Sequence, residues 1–159
     1  DCWDVIATSG DAARAAMFRG LIGQKLWHIG EAKDTTFFDP LNLVADPVAV
    51  ERVELDAAEG IICTGPFDPH ADPAVMRPQF LLAKQRGLKM ICANPDIVVD
   101  RGDTREWCAG ALAKLYVEMG GEAFYFAKPQ PQIYALSRQR LEQLGKLVPD
   151  GRIFFQGKA

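Results

Sequence analysis

The chain has 159 residues, 48% hydrophobic and 25% charged, with a formal net charge of −3. That is enough apolar material to bury a core, in one domain or a compact pair of lobes. The weak negative charge and scattered lysines and arginines argue against a nucleic-acid partner, and no apolar run approaches the roughly 18 residues of a membrane span.

No charged, apolar, small-residue signal order opens the chain, so a soluble, cytoplasmic protein is expected. Four cysteines, Cys2, Cys63, Cys92 and Cys108, stand far apart and never at the spacing of a zinc knuckle or redox pair. Cys63 and Cys92 fall inside strand-like apolar runs, where a reduced cysteine acts as a small hydrophobe, and a reducing compartment suits them.

In chain order, Asp4-Val5-Ile6-Ala7-Thr8 reads as a strand turning through Ser9-Gly10-Asp11 into a helix over Ala12 to Phe18. Lys25 to Ile29 reads as a second strand closed by Gly30. Residues 31 to 58 are broken by Asp39-Pro40 and Asp46-Pro47 and leave only short elements around Val44 and Val48 to Leu55. Gly60 to Gly65 is a buried-strand run followed by a turn-rich loop, Pro66 to Pro73. A helix then extends to about Arg86, with Pro78 as a kink or a first turn.

Gly87 ends that helix, Lys89 to Ala93 forms another buried strand, and Asn94-Pro95-Asp96 lies at its carboxyl end. A loop passes through Arg101-Gly102-Asp103. Ala111, Leu112, Leu115, Tyr116 and Met119 then repeat at helical spacing until Gly120-Gly121. Ala123 to Phe126 is a short strand, Lys128-Pro129 opens a helix from about Gln132 to Gly145, and Ile153-Phe154-Phe155 reads as a final strand. Strands alternating with helices specify an α/β fold with a mostly parallel sheet.

Several chemistries are excluded by inspection. There is no Gly-x-Gly, no glycine-rich loop ending in Gly-Lys-Ser or Gly-Lys-Thr, and no second histidine near His28 or His70. Ser9 is not in a Gly-x-Ser-x-Gly elbow, which leaves a serine hydrolase the weakest option. Thr8-Ser9-Gly10-Asp11 suits an anion at a helix start, but a plain helix cap by Ser9 is the preferred reading. Asp68 and Asp72 follow Thr64-Gly65 and either face a substrate or make Asp-Pro turns.

Phe124-Tyr125-Phe126-Ala127-Lys128-Pro129 is different in kind. A strand delivers Lys128 to its carboxyl end, and the following proline holds the lysine backbone extended. Such an ammonium suits a phosphoryl group and a neighbouring carboxylate. On geometry alone an exposed surface lysine fits equally well.

Three segments in order carry a family likeness: Asp4 to Ala13, Ile91 to Asp96, and Ala127-Lys128-Pro129-Gln130-Pro131-Gln132-Ile133-Tyr134, with Cys108-Ala109-Gly110-Ala111-Leu112 between the last two. Together they resemble the haloacid dehalogenase-type hydrolases of class IIA, which carry a large α/β cap inserted in the core, in the manner of sugar-phosphate and pyridoxal-phosphate phosphatases. The likeness covers residues 4 to about 145. It departs at Ala127, where glycine is usual, and at Gln130, and Phe155 to Ala159 does not resemble the family's continuation.

The resemblance implies a haloacid dehalogenase-like fold: a C2-type α/β cap plus a fragment of the Rossmann-like core. Residues 1–20 would enter the cap, 21–122 form it, and 123–159 return to an incomplete core. It implies Lys128 as the catalytic lysine, with Asn94, Asp96 and Asp68 as substrate-binding residues. It also implies an aspartyl-phosphate mechanism on a small phosphorylated metabolite with Mg²⁺.

The family's nucleophile lies in an Asp-x-Asp pair, and none occurs in this chain. The expectation is therefore a cap-plus-return fragment that is inactive alone, lacks the metal ligands, and associates with itself or with missing core segments through exposed sheet edges. The rival expectation is a non-catalytic, flavodoxin-like binding or interaction domain.

Overall fold

The computed structural model describes residues 8–39, 42, 44–126, 131–143 and 145. Residues 4–7 of the first expected strand, the expected strand over 153–155, and Lys128 itself lie outside the described residues. The chain order is α1 (Ser9–Phe18), β1 (Lys25–Ile29), β2 (Glu51–Arg52), β3 (Gly60–Cys63), α2 (Arg77–Gln85), β4 (Lys89–Cys92), β5 (Val98–Arg101), β6 (Thr104–Trp107), α3 (Ala109–Glu118), β7 (Glu122–Tyr125) and α4 (Pro131–Gln143). Short 3-10 turns occupy Ala32–Phe38, Leu55–Ala57 and Pro73–Met76.

Five strands form one parallel sheet in the order β2-β1-β3-β4-β7. Strands β3 and β4 sit in the middle and are apolar on both faces because helices cover both. On one face Leu26, Ile62 and Ile91 pack under α1, with Met17 and Phe18, and Leu136 of α4 joins the same cluster. On the other, Trp27, Ile29, Ile61, Met90 and the cysteines Cys63 and Cys92 meet Phe80 of α2 and Leu112 and Tyr116 of α3. The alternation along each strand is the period-two pattern of a sheet clad on both sides. No helix among the described residues is long and apolar enough to cross a membrane.

Strand β7 is hydrogen-bonded to β4, Lys89 opposite Glu122 through Cys92 opposite Tyr125. One sheet thus runs across the 122/123 position where the sequence suggests a boundary between cap and returning core. Pro78 lies in the first turn of α2 and not at a kink. The expected loop around residues 101–103 is a hairpin. Arg101 pairs with Thr104 across Gly102-Asp103, Gly102 takes φ 61°, and the strands are cross-braced by Arg101–Glu106 and Arg105–Asp100 ion pairs, each at 2.8 Å. Gly-Asp at a two-residue turn is a hairpin signal, because such turns need positive φ.

Candidate active site

The carboxyl ends of β1, β3 and β4 and the amino end of α1 enclose a cleft of about 330 Å³. Its wall includes Thr8, Gly10, Asp11 and Arg14 from the α1 end, Asp34 and Thr36 from the turn after β1, Thr64 just past β3, and Asn94 just past β4. Open parallel sheets place ligand sites at this end because the strand-to-helix connections gather there.

The start of α1 is built by a reciprocal cap. Thr8 Oγ1 accepts from the Asp11 N–H at 3.1 Å, and Asp11 Oδ2 accepts from the Thr8 N–H at 3.1 Å. The cap is therefore Thr8, not Ser9, which is the first helical residue. Thr8 takes extended backbone, φ −114° and ψ 162°, as a capping residue requires. The Asp11 carboxylate is balanced by two guanidinium groups, Arg14 at 3.9 Å and Arg140 at 3.3 Å. That pairing offsets the charge a bare carboxylate would place at an anion-attracting helix end.

Arg14 also ties the turn after β1 to α1. Its Nε donates to the Phe37 carbonyl at 3.0 Å, and a second nitrogen donates to the Asp39 carbonyl. Beyond that clamp, the Thr64 hydroxyl lies 2.8 Å from Asp34 Oδ2 and 2.8 Å from His28 Nε2. Thr64 has one hydroxyl hydrogen. When it donates that hydrogen to the Asp34 carboxylate, His28 Nε2 must be the donor to Thr64. Burial holds the His28 pKa below its ordinary value, opposed by Asp34 and aided by Arg52, so the ring is a neutral donor near pH 7.

Gly30 makes that cluster possible. A Cβ there would lie 2.0 Å from Thr64 Oγ1 and 2.6 Å from His28 Nε2. Phe38 closes the outer side, edge-on to His28 at 5.2 Å with the Arg52 guanidinium 5.4 Å from its ring centre.

Of the residues singled out from the sequence, Asn94 lines the cleft, with its Oδ1 accepting from the Asp96 N–H at 3.1 Å. That bond assigns Oδ1 as the acceptor and leaves the NH₂ as the donor side of the amide. Asp96 is exposed and outside the cleft wall, and its carbonyl accepts from the Gly110 N–H at 3.0 Å. Asp68 is also outside the wall, where its carboxylate accepts from the His70 N–H at 2.9 Å in the turn after β3. Among the described residues no group of three or more His, Cys, Asp or Glu stands together as a metal site. The Mg²⁺ expectation thus finds no ligand set among the described residues.

Arg14, Asp34, Thr64 and His28 were not singled out by the sequence. The one available signal was a polar residue within two positions of the end of each of two strands, Thr64 and Asn94, where function collects. Cys63 and Cys92 pair across β3 and β4 and are fully buried. Burial raises the Cys63 thiol well above its ordinary value and raises that of Cys92 to about 12, so neither is a nucleophile at neutral pH.

No family model and no curated protein matches the chain. Among solved structures, a haloacid dehalogenase-like hydrolase from Brucella suis 1330 aligns with 94% of the chain at 36% identity and a TM-score of 0.78. A p-nitrophenyl phosphatase from Archaeoglobus fulgidus aligns over 86% at 22% identity and 0.58, and a glycerol phosphate phosphatase from Mycobacterium tuberculosis, solved with calcium, over 86% at 15% and 0.59. The chain spans 55%, 48% and 39% of those three proteins, respectively. Over the part that it spans, the chain has the α/β fold of the haloacid dehalogenase-like hydrolases.

Proposed function

We propose that the chain supplies the substrate-facing part of a haloacid dehalogenase-type phosphatase of class IIA, with the cleft at the α1 start taking the phosphate of a small metabolite. The observation that carries this is the convergence of the Thr8–Gly10 helix start, Arg14 and Asn94 on one cleft at the strand carboxyl ends. Helix-start N–H groups, a guanidinium and an amide NH₂ together match a phosphate's acceptors. The 36% identity to a hydrolase of this kind agrees with it.

In this reading the sheet from Lys25 to Tyr125 is the cap, and the return to the core falls after β7 because β7 is bonded into the cap sheet. Lys128 follows that strand and would bring its ammonium to the phosphoryl group. Asp96 and Asp68 lie outside the wall and would meet substrate only with the rest of the enzyme in place. The chemical step is attack by an aspartate that this chain's sequence does not offer as Asp-x-Asp, so the isolated chain turns over no aryl phosphate. Mg²⁺ would be held by groups other than those described. Buried, unpaired Cys63, Cys92 and Cys108 fit a reducing, cytoplasmic setting.

Among the described residues β2 and β7 are the outer strands of the sheet, and this, with apolar Phe67 at 52% exposure and Val75 at 60%, fits association with further copies or with core segments. Concentration-dependent mass in sedimentation is expected.

The test is a titration of the 159-residue chain with inorganic phosphate, followed by amide NMR. Shifts at Thr8, Gly10 and Asn94 are expected, with several-fold weaker binding in Lys128→Ala. Shifts scattered over surface lysines instead would refute the site, and unchanged affinity in the variant would remove Lys128 from it.

A further inference from the structure

Asp34 offers no donor to a phosphate, yet its carboxylate stands in the cleft wall. One oxygen, Oδ2, is taken by the Thr64 hydroxyl at 2.8 Å and the Glu31 N–H at 3.2 Å. Among the described residues no donor bonds its other oxygen. A second carboxylate is a poor neighbour for phosphate, since like charges at close range repel. A carboxylate oxygen in that wall suits a hydrogen-bond donor.

We infer that Asp34 is a specificity-determining residue that accepts a hydrogen bond from a hydroxyl on the non-phosphate end of the substrate, which makes the preferred ligand a short polyol phosphate over an alkyl or aryl one. The inference rests on the phosphate reading of the same cleft. Size supports it: about 330 Å³ is near the lower end of the roughly 300–1,000 Å³ of ligand clefts, room for a phosphate and a few carbons.

Thr64 and His28 serve as positioning residues. Thr64 pins Oδ2, and the neutral His28 ring donates to Thr64, so the hydroxyl hydrogen is directed at Asp34 and not at the Ile29 carbonyl, 3.3 Å away. This fixes the carboxylate rotamer before a ligand arrives, and a pre-set acceptor loses less on binding. Gly30 leaves room for all three groups to meet.

The test compares glycerol 3-phosphate with propyl phosphate, equal in carbon number but differing in hydroxyls, by amide NMR titration of the 159-residue chain. Inorganic phosphate is the reference. About tenfold tighter binding of glycerol 3-phosphate is expected, the usual worth of a hydrogen bond to a charged group. In Asp34→Ala the ratio falls to about one, while inorganic phosphate binds at least as tightly because a neighbouring negative charge is gone. Asp34→Asn, which keeps an oxygen for Thr64 and Glu31, guards against misfolding and lowers the ratio too.

Thr64→Val reduces the preference and Thr64→Ser restores it, a rescue that loss of packing alone would not produce. An unchanged ratio in both Asp34 variants, or a ratio near one in the parent chain with normal phosphate binding, overturns the inference alone. Absence of phosphate shifts at Thr8 and Gly10 overturns the phosphate site and this inference with it.

Discussion

Replacing Gly110 with alanine probes the contact that sets Asn94 in the cleft. Gly110 lies in the first turn of α3, directly under the Asn94-Pro95-Asp96 turn, and its N–H donates to the Asp96 carbonyl at 3.0 Å. An added Cβ would stand 2.1 Å from the Pro95 carbonyl oxygen and 2.5 Å from that of Asp96. Both are backbone atoms, so no rotamer change relieves the overlap, and the helix start and the turn must separate.

Overfilling a packed contact costs about 1–3 kcal/mol, and weakening the Gly110 hydrogen bond adds about 1. The helix-propensity gain of alanine offsets at most about 1 kcal/mol. The net expectation is a loss of about 1–3 kcal/mol, which in a chain of this size lowers Tm by about 2–4 °C for each kcal/mol. Gly65→Ala is the control, because nothing lies within 4 Å of a Cβ there. Its stability should change by less than about 0.5 kcal/mol. Thermal unfolding by circular dichroism reads both. A Gly110→Ala chain that melts at or above the parent would refute the packing argument.

Three other perturbations have defined signs. Thr8→Ala removes the cap acceptor for the Asp11 N–H and should cost about 0.5–2 kcal/mol in urea unfolding, whereas Ser9→Ala should cost little; the reverse order would return the cap to Ser9. Tyr116→Phe strips the buried hydroxyl that donates to the Leu88 carbonyl at 2.5 Å, leaving that carbonyl short of a partner, for a loss of about 1–3 kcal/mol; an equal urea midpoint would contradict it.

Alkaline pH should destabilise the chain. The folded Cys92 thiol keeps its proton up to about 12 while the unfolded thiol loses it near 8.5, so above that value the unfolded state binds fewer protons and stability falls. The slope is about 1.4 kcal/mol per pH unit per buried thiol, absent below the unfolded pKa. Urea midpoints between pH 8 and 11 measure it, and Cys92→Ala should make the profile shallower by that one thiol's share, leaving the share of Cys63. A parent profile already flat would contradict the burial account.

The sheet was legible where one periodicity dominated. Gly60–Cys63 and, after Lys89, Met90 to Cys92 are apolar without interruption because helices cover both their faces, and Ala109–Glu118 carries a helical stripe ended by Gly120-Gly121. The β5–β6 hairpin was missed because its strands are mostly exposed and carry no apolar alternation, leaving only Gly102-Asp103 as a cue. Glu51–Arg52 falls inside the short element expected over Val48 to Leu55, and its pairing with β1 makes it a strand.

The site was legible in its backbone and not in its long-range chemistry. Asn94 and the Thr8–Asp11 turn stand out because polar residues at strand and helix ends have few structural alternatives. His28, Asp34 and Thr64 are separated by up to 36 residues and meet only through the β1–β3 pairing and the space left at Gly30. Arg14 looked like one of many scattered arginines until its bonds to Phe37 and Asp39 placed it across the turn.

A crystal structure of the chain soaked with tungstate, a heavy tetrahedral oxyanion, tests the central claim most directly. The account places the anomalous peak at the start of α1, within hydrogen-bond reach of the Ser9 or Gly10 N–H and facing Arg14 and Asn94. A fully occupied peak elsewhere on the molecule with that cleft empty would contradict it.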